Sequence, residues 1–164
     1  MRVKDVMVND VSVCTPDENL AEVAATMWDA RCGALPVLDE TGNVVSMITD
    51  RDVCIALGTR NARASEVRVK EVSLPRVFTC NEEDNVREAL NTMVSQNVRR
   101  LPVLGPEKEL VGILSIDDVL HGSKGRAGAA GIPYATIVEA LKIILEGRRR
   151  NHAHEPAELV ATHA

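Results

Sequence analysis

Apolar positions along this chain follow two rhythms: short runs suited to strands, and three- or four-residue spacing suited to helices. Val11-Ser12-Val13-Cys14 reads as a short strand, ended by the turn signal Thr15-Pro16-Asp17. Asn19 predicts a helix N-cap, with Glu22 three residues on to close a capping box. Leu20, Val23, Ala24 and Met27 give that helix one apolar face, and Gly33 predicts its end. Two more strands, Leu35–Leu38 and Val44–Ile48, flank the hairpin signal Asp39–Asn43. Thr49 then opens a helix running to about Leu57.

The same order returns at a gapless offset of 66 residues. A strand at Val77–Cys80 precedes a helix capped by Asn85 and Glu88 and carrying Val86, Ala89, Leu90 and Met93. Leu101–Leu104 and Leu110–Leu114 form the second hairpin around Gly105–Glu109. The likeness extends to identity: Leu35-Pro36-Val37-Leu38 recurs as Leu101-Pro102-Val103-Leu104, and Arg2-Val3-Lys4-Asp5-Val6 as Arg68-Val69-Lys70-Glu71-Val72. The expected fold class is mixed α/β, with two pseudo-twofold-related β-α-β-β-α units packing their sheets as one body. The units are read as 1–57 and 67–122, joined by a linker at 58–66. Beyond them follow a Gly/Ala-rich linker at 123–132, a helix at 133–147 and a tail at 148–164 expected to be disordered. That helix has proline in its first turn, a stripe of Tyr134, Ile137, Val138, Leu141, Ile144 and Leu145, and Gly147 as a stop. A stripe this apolar must dock on the module itself or on a second chain, and a homodimer through the faces of the repeats, this helix or both is expected.

Composition narrows the function. Aromatic residues make up 2% of the chain, so the core must be aliphatic. A net charge of −5 argues against general nucleic-acid binding, and Arg148-Arg149-Arg150 reads as a complement to the helix C-terminus. No apolar run nears the roughly 20 residues of a membrane helix, and the N-terminus lacks a signal-peptide core. A stand-alone cytoplasmic protein is expected. Cys14, Cys32, Cys54 and Cys80 form no C-x-x-C pair and read as buried apolar residues in a reducing compartment. Cys14 and Cys80 are repeat-equivalent, which leaves open a redox role across the pseudo-twofold axis. His152 and His154 have no further ligands nearby in sequence, so no metal site is assigned.

Chemistry concentrates at the last strand-to-helix junction, present twice: Thr49 with Asp52, and Ser115 with Asp118. A hydroxyl and a carboxylate three positions on can cap the helix and do nothing else. Alternatively, the helix N-terminus receives a phosphate while the carboxylate accepts hydrogen bonds from two ribose hydroxyls. Gly112 would allow a ligand close to the backbone. No nucleophile is paired with a base and no phosphate-binding glycine loop is present, so the chain is not read as an enzyme.

Together, the Val-Lys-Asp/Glu-Val entries, the doubled Leu-Pro-Val-Leu strands and the Thr/Ser-x-x-Asp junctions resemble a tandem pair of cystathionine-beta-synthase (CBS) domains, a Bateman module, over residues 1–122. The resemblance implies regulatory binding of adenosine-containing ligands such as AMP, ADP, ATP or S-adenosylmethionine, with the Asp on the ribose and the hydroxyl on phosphate or ribose. Carried over, these roles fall on Thr49 and Asp52 in one cleft and on Ser115 and Asp118 in the other, with base contacts from Val11 and Val13 and from Val77 and Thr79. Arg99 and Arg100 stand where comparable modules place a phosphate-binding basic residue, whereas their equivalents Gly33 and Ala34 cannot serve. The family pattern has glycine where repeat 1 has Ser46. The implied partners are an adenine nucleotide, a second copy and an unidentified protein target. The competing reading is a structural or stress-related interaction protein with vestigial clefts.

Overall fold

A computed structural model describes residues 1–123 and 132–152. Repeat 1 runs α1 (Leu20–Asp29), β1 (Ala34–Leu38), β2 (Val44–Thr49) and α2 (Asp50–Arg60). Repeat 2 runs β3 (Cys80–Asn81), α3 (Val86–Gln96), β4 (Arg100–Leu104), β5 (Leu110–Ser115) and α4 (Ile116–Gly122), and α5 (Tyr134–His152) follows. Single 3-10 turns stand at Val3–Asp5, Ala64–Glu66 and Val69–Glu71.

Local chemistry accounts for most of these boundaries. Asn19 Oδ1 accepts from the Ala21 and Glu22 amides at 3.0 and 3.1 Å, while Glu22 returns a carboxylate to Asn19 N–H at 2.9 Å. In repeat 2, Asn85 Oδ1 takes the Arg87 amide at 3.0 Å, but the expected Glu88 limb of the box is not formed. The two helices end alike, with Arg31 (φ 51°) and its equivalent Asn97 (φ 56°) in the left-handed region, so α1 stops before Gly33. Both hairpins are antiparallel and share a bulge, between Val37 and Leu38 and between Val103 and Leu104.

The expected first strands are mostly absent. Cys14 makes one bridge to Val37 and Cys80–Asn81 pairs in parallel with β4; Val11–Val13 and Val77–Thr79 lie outside any strand. Those residues have the right composition, but only Cys14 and Cys80–Asn81 pair with the outer edges of β1 and β4.

The interior divides into two aliphatic clusters, one per repeat, and each is completed by the other repeat's entry segment. Val3 is fully buried in the repeat 2 cluster, and Val67 and Val69 lie in that of repeat 1. The Val3 and Lys4 amides donate to Asp84 and Glu82 carbonyls at 3.0 and 2.9 Å. In mirror fashion, the Val69 and Lys70 amides donate to Glu18 and Pro16 carbonyls, both at 3.0 Å. Side chains close the same seams: Lys70 pairs with Asp17 at 2.6 Å, and Arg2 and Lys4 pair with Glu83. The exchange ties the two halves together.

α5 lies on α3 and α4, where Ile132, Ile137, Ala140 and Ile144 enter the repeat 2 cluster. It does not stop at Gly147. A Cβ there would stand 2.9 Å from Asn97 Oδ1, so the glycine serves a close approach of α5 to the end of α3, and the helix continues to His152. The linker and tail read from sequence fall largely outside the described residues. Among the described residues, no helix is long and apolar enough to cross a membrane.

Candidate functional site

Both strand-to-helix junctions adopt the geometry that their spacing predicts. Thr49 Oγ1 donates to Asp52 Oδ2 at 2.6 Å, Thr49 N–H reaches the same oxygen at 2.9 Å, and Asp52 N–H returns to Thr49 Oγ1 at 3.2 Å. Ser115 and Asp118 repeat this at 2.6, 2.8 and 3.1 Å. These are complete capping boxes at the N-termini of α2 and α4. In each, Oδ2 takes both hydrogen bonds of the cap while Oδ1 takes neither, so capping and ligand binding are compatible.

The surroundings of the two junctions differ. Beside Thr49, a cavity of about 180 Å³ is lined by Gly33, Ala34, Met47, Thr49, Asp50, Arg51, Val98, Arg99 and Arg100. A second lobe of about 290 Å³ shares Met47, Val98 and Arg100 and adds Leu74, Arg76, Val77, Phe78 and Gln96. Arg99 and Arg100 therefore line the cleft on the Thr49 side, although Arg100 is the register partner of Ser115 within its own hairpin. Val77 lines the second lobe, while Asp52 stands behind Thr49 as its capping partner, and Asp52, Val11, Val13, Thr79, Gly112, Ser115 and Asp118 are not among the residues lining either lobe.

The Arg76 guanidinium stacks 4.6 Å above the Phe78 ring and approaches Gln96 Oε1 at 3.5 Å. Sequence reading passed over Arg76 and Met47 and took in Phe78 only as part of the Val77–Thr79 stretch. The 66-residue offset held the signal: Arg76 and Arg100 replace Asp10 and Ala34, so one half carries cations where the other carries an anion and a methyl group.

At Gly112 the close approach is made by the chain itself rather than left to a ligand. Val8 and Ile113 exchange backbone hydrogen bonds at 3.0 and 2.9 Å, and a Cβ on Gly112 would meet Met7 Sδ at 2.8 Å and the Val8 carbonyl at 2.9 Å. In repeat 1, buried Ser46 instead donates its hydroxyl to the Leu74 carbonyl at 2.5 Å. Leu74 is the equivalent of Val8, and the two open lobes lie beside it, on Met47.

Cys14 and Cys80 do not form a redox pair. Each thiol is free and sits in its own repeat's core, where burial first and a nearby carboxylate second (Glu18 and Asp84, respectively) push it up to about 12. Among the described residues, no group of three or more His, Cys, Asp or Glu gathers as metal ligands would.

The CBS-domain model matches residues 3–59 and again residues 69–125. This chain belongs to the CBS-domain family. Its mixed α/β architecture is that of a tandem CBS pair. The uncharacterized protein YlbB of Bacillus subtilis (strain 168) is 33% identical over 132 residues, spanning 79% of this chain and 88% of that one. The inosine-5'-monophosphate dehydrogenase of Methanocaldococcus jannaschii is 32% identical over 124 residues, but this CBS pair spans only 24% of that enzyme. Among solved structures, the CBS domain pair of protein MJ0100, in complex with 5-methylthioadenosine and S-adenosyl-L-methionine, is similar at a TM-score of 0.66 and 25% identity, covering 76% of this chain and 98% of that one.

Proposed function

We propose that this CBS pair is a regulatory module that binds an adenine nucleotide of the AMP, ADP or ATP class in the Thr49 cleft, one per chain. The arginine-lined double lobe carries the reading. Its shape suits a molecule with a flat apolar end and an anionic end. The base stacks in the lobe of Met47, Val77 and Phe78, the ribose diol hydrogen-bonds to the free edge of Asp52, and the phosphates meet Thr49, the α2 N-terminus and Arg99 and Arg100. Charge-assisted hydrogen bonds are worth roughly 1.5–3 kcal/mol each. Three of them approach the roughly 8 kcal/mol of micromolar affinity, a range suited to sensing nucleotide levels.

MJ0100 binds adenosine ligands that carry no phosphate. The arginines of the present cleft favour phosphate over a cationic sulfonium, which selects the nucleotide class. The Ser115 cleft lacks the cations, having Gly33 and Ala34 in place of Arg99 and Arg100. In each junction the hydroxyl and its carboxylate partner are engaged in the helix cap, and bound nucleotide acts by shifting an equilibrium between states of the module or its target. The free thiols suit a reducing cytoplasm.

The test is thermal unfolding against AMP, ADP, ATP, S-adenosylmethionine and NAD, followed by titration calorimetry. Ligand at about a hundred times its Kd should add roughly 2.7 kcal/mol of stability. A shift with the phosphorylated ligands that Asp52→Ala removes supports the sensor. No shift with any adenine ligand would leave the junctions as caps and make partner binding the function.

A further inference from the structure

The second lobe of the Thr49 cleft meets the end of one helix and the start of one strand. α3 stops at Gln96 because Asn97 takes a left-handed conformation (φ 56°), which turns the chain at once toward β4. Gln96, Val98 and Arg100 reach the lobe from this turn, and Arg76, Val77 and Phe78 reach it from the segment ahead of β3.

Three of the side chains lining the lobe are polar: Arg76, Gln96 and Arg100. A guanidinium has donors and no acceptor, so Gln96 brings the one side-chain oxygen among them. Its amide is held from both ends. Oε1 lies 3.5 Å from the Arg76 guanidinium, which is itself stacked 4.6 Å over the Phe78 ring. Nε2 lies 3.4 Å from Ser95 Oγ. Arg76 lines the lobe and Ser95 does not, so the oxygen is the end of the amide on the lobe side. An amide oxygen has two acceptor sites, and the Arg76 contact leaves one of them open. The fold does not require this set. The repeat 1 equivalents of Arg76, Phe78 and Gln96 are Asp10, Ser12 and Ala30, which offer no cation, ring or amide, and that half folds alike.

Purines differ at position 6, where adenine carries an amino donor and guanine an oxo acceptor. We propose that Gln96 reads the base: its Oε1 accepts a hydrogen bond from the 6-amino group of adenine, and Arg76, seated on Phe78, is the residue that positions it. The proposal rests on the reading of the Thr49 cleft as a nucleotide site and adds how that site selects its purine. A 6-oxo purine sets oxygen against oxygen there. The guanidinium that could satisfy the oxo group is already engaged, stacked on Phe78 and turned to Gln96.

The experiment is titration calorimetry of AMP, IMP and GMP on the full chain and on Gln96→Leu, Gln96→Glu and Arg76→Met, each shown folded by circular dichroism. Wild type should bind AMP about five-fold tighter than IMP or GMP, the worth of one neutral hydrogen bond. Gln96→Leu should weaken AMP to the level of IMP and leave IMP unchanged. Gln96→Glu retains the oxygen and should keep the AMP-to-IMP ratio, even with both nucleotides weakened by its charge. Arg76→Met should narrow the ratio although Gln96 remains, whereas a loss of packing alone would weaken both nucleotides equally. An AMP-to-IMP ratio that survives Gln96→Leu overturns the assignment. So does a wild type that prefers IMP or GMP, since Arg76 would then be reading the 6-oxo group. A chain that binds none of the three overturns the nucleotide reading of the cleft itself, and this one with it.

Discussion

Ser46 Oγ donates to the Leu74 carbonyl oxygen at 2.5 Å, at the position where repeat 2 has Gly112 and a backbone pairing of Val8 with Ile113. One hydroxyl thus replaces two backbone hydrogen bonds. Introducing a side chain at Gly112 should undo the tighter seam. Met7 can swing aside, but the Val8 carbonyl is held by the Ile113 amide. Gly112→Ser is expected to lower unfolding free energy by about 1–3 kcal/mol, and Ser46→Ala by about 1 kcal/mol. Urea denaturation measures both, and a Gly112→Ser chain as stable as wild type would mean that the first entry segment is not seated on β5.

The arginines of the Thr49 cleft should separate phosphate recognition from base recognition. Arg100→Ala is expected to weaken AMP, ADP or ATP by about ten-fold or more, the loss of one charge-assisted bond. Adenosine, which lacks the phosphate, should bind the variant and wild type alike. Although the family pattern, with glycine at Gly112 and Ser46 in its place in repeat 1, favours Ser115 and Asp118 over Thr49 and Asp52, the cations stand beside Thr49. Asp52→Ala should therefore cost about ten-fold or more, and Asp118→Ala much less. Calorimetry on the pair checks the assignment; the reverse order would move the ligand to the other cleft.

The cysteines should divide into two reactivity classes. Cys14 and Cys80 are buried and pushed from 9.0 up to about 12, whereas Cys54 is exposed and Cys32 half-buried. At mildly alkaline pH, native protein should lose Cys54 and then Cys32 to iodoacetamide, with Cys14 and Cys80 reacting only on unfolding. The same shift bears on stability. The unfolded chain releases these two protons near 9 while the folded chain holds them to about 12, so stability should fall as pH rises through that interval. Urea midpoints that stay flat from pH 8 to pH 11 in the wild type, or that fall equally in a Cys14→Ala, Cys80→Ala chain, would contradict it.

On the acid side, the exchanged entries carry the sensitivity. The Lys70 hydrogen bond and charge hold Asp17 below the usual aspartate range, and Lys4 and then Arg2 do the same for Glu83. Their contribution is complete above the ordinary carboxylate values and is lost as pH falls through the lowered ones. These groups are exposed, so the effect is small and salt-screened. A Lys4→Ala, Lys70→Ala chain should show a shallower loss of stability between pH 6 and pH 3 than the wild type at low salt, and an equal one at high salt.

Much of this was legible in the chain because the signals are local. Caps such as Asn19 with Glu22 and Thr49 with Asp52, and the hairpin at Asp39–Asn43, depend on residues within four positions of each other. The strands read at Val11–Val13 and Val77–Thr79 shrink to a bridge at Cys14 and a pair at Cys80–Asn81, because strand formation depends on how far the segment runs along a partner edge, which composition does not report. The offset shows which segments are alike and not which ones touch, so the exchange of entries stayed hidden. Gly147 illustrates the same limit: a glycine late in an apolar stripe looks like a stop, yet here it makes room for Asn97. In the cleft, Arg99 and Arg100 were found from the family resemblance at Leu101-Pro102-Val103, but Arg76 and Phe78 come from the stretch of repeat 2 ahead of β3 and join the site only through the fold.

The exchange of entry segments also sets an order in time. A nascent chain that has released only residues 1–66 holds repeat 1 without Val67 and Val69, so that core stays open until part of the second repeat has left the ribosome. Val3, among the first residues made, waits longest, because its cluster includes Val86 and Val119 from late in translation. The N-terminus is thus one of the last pieces to lock, and each half matures only when the other supplies its closing residue.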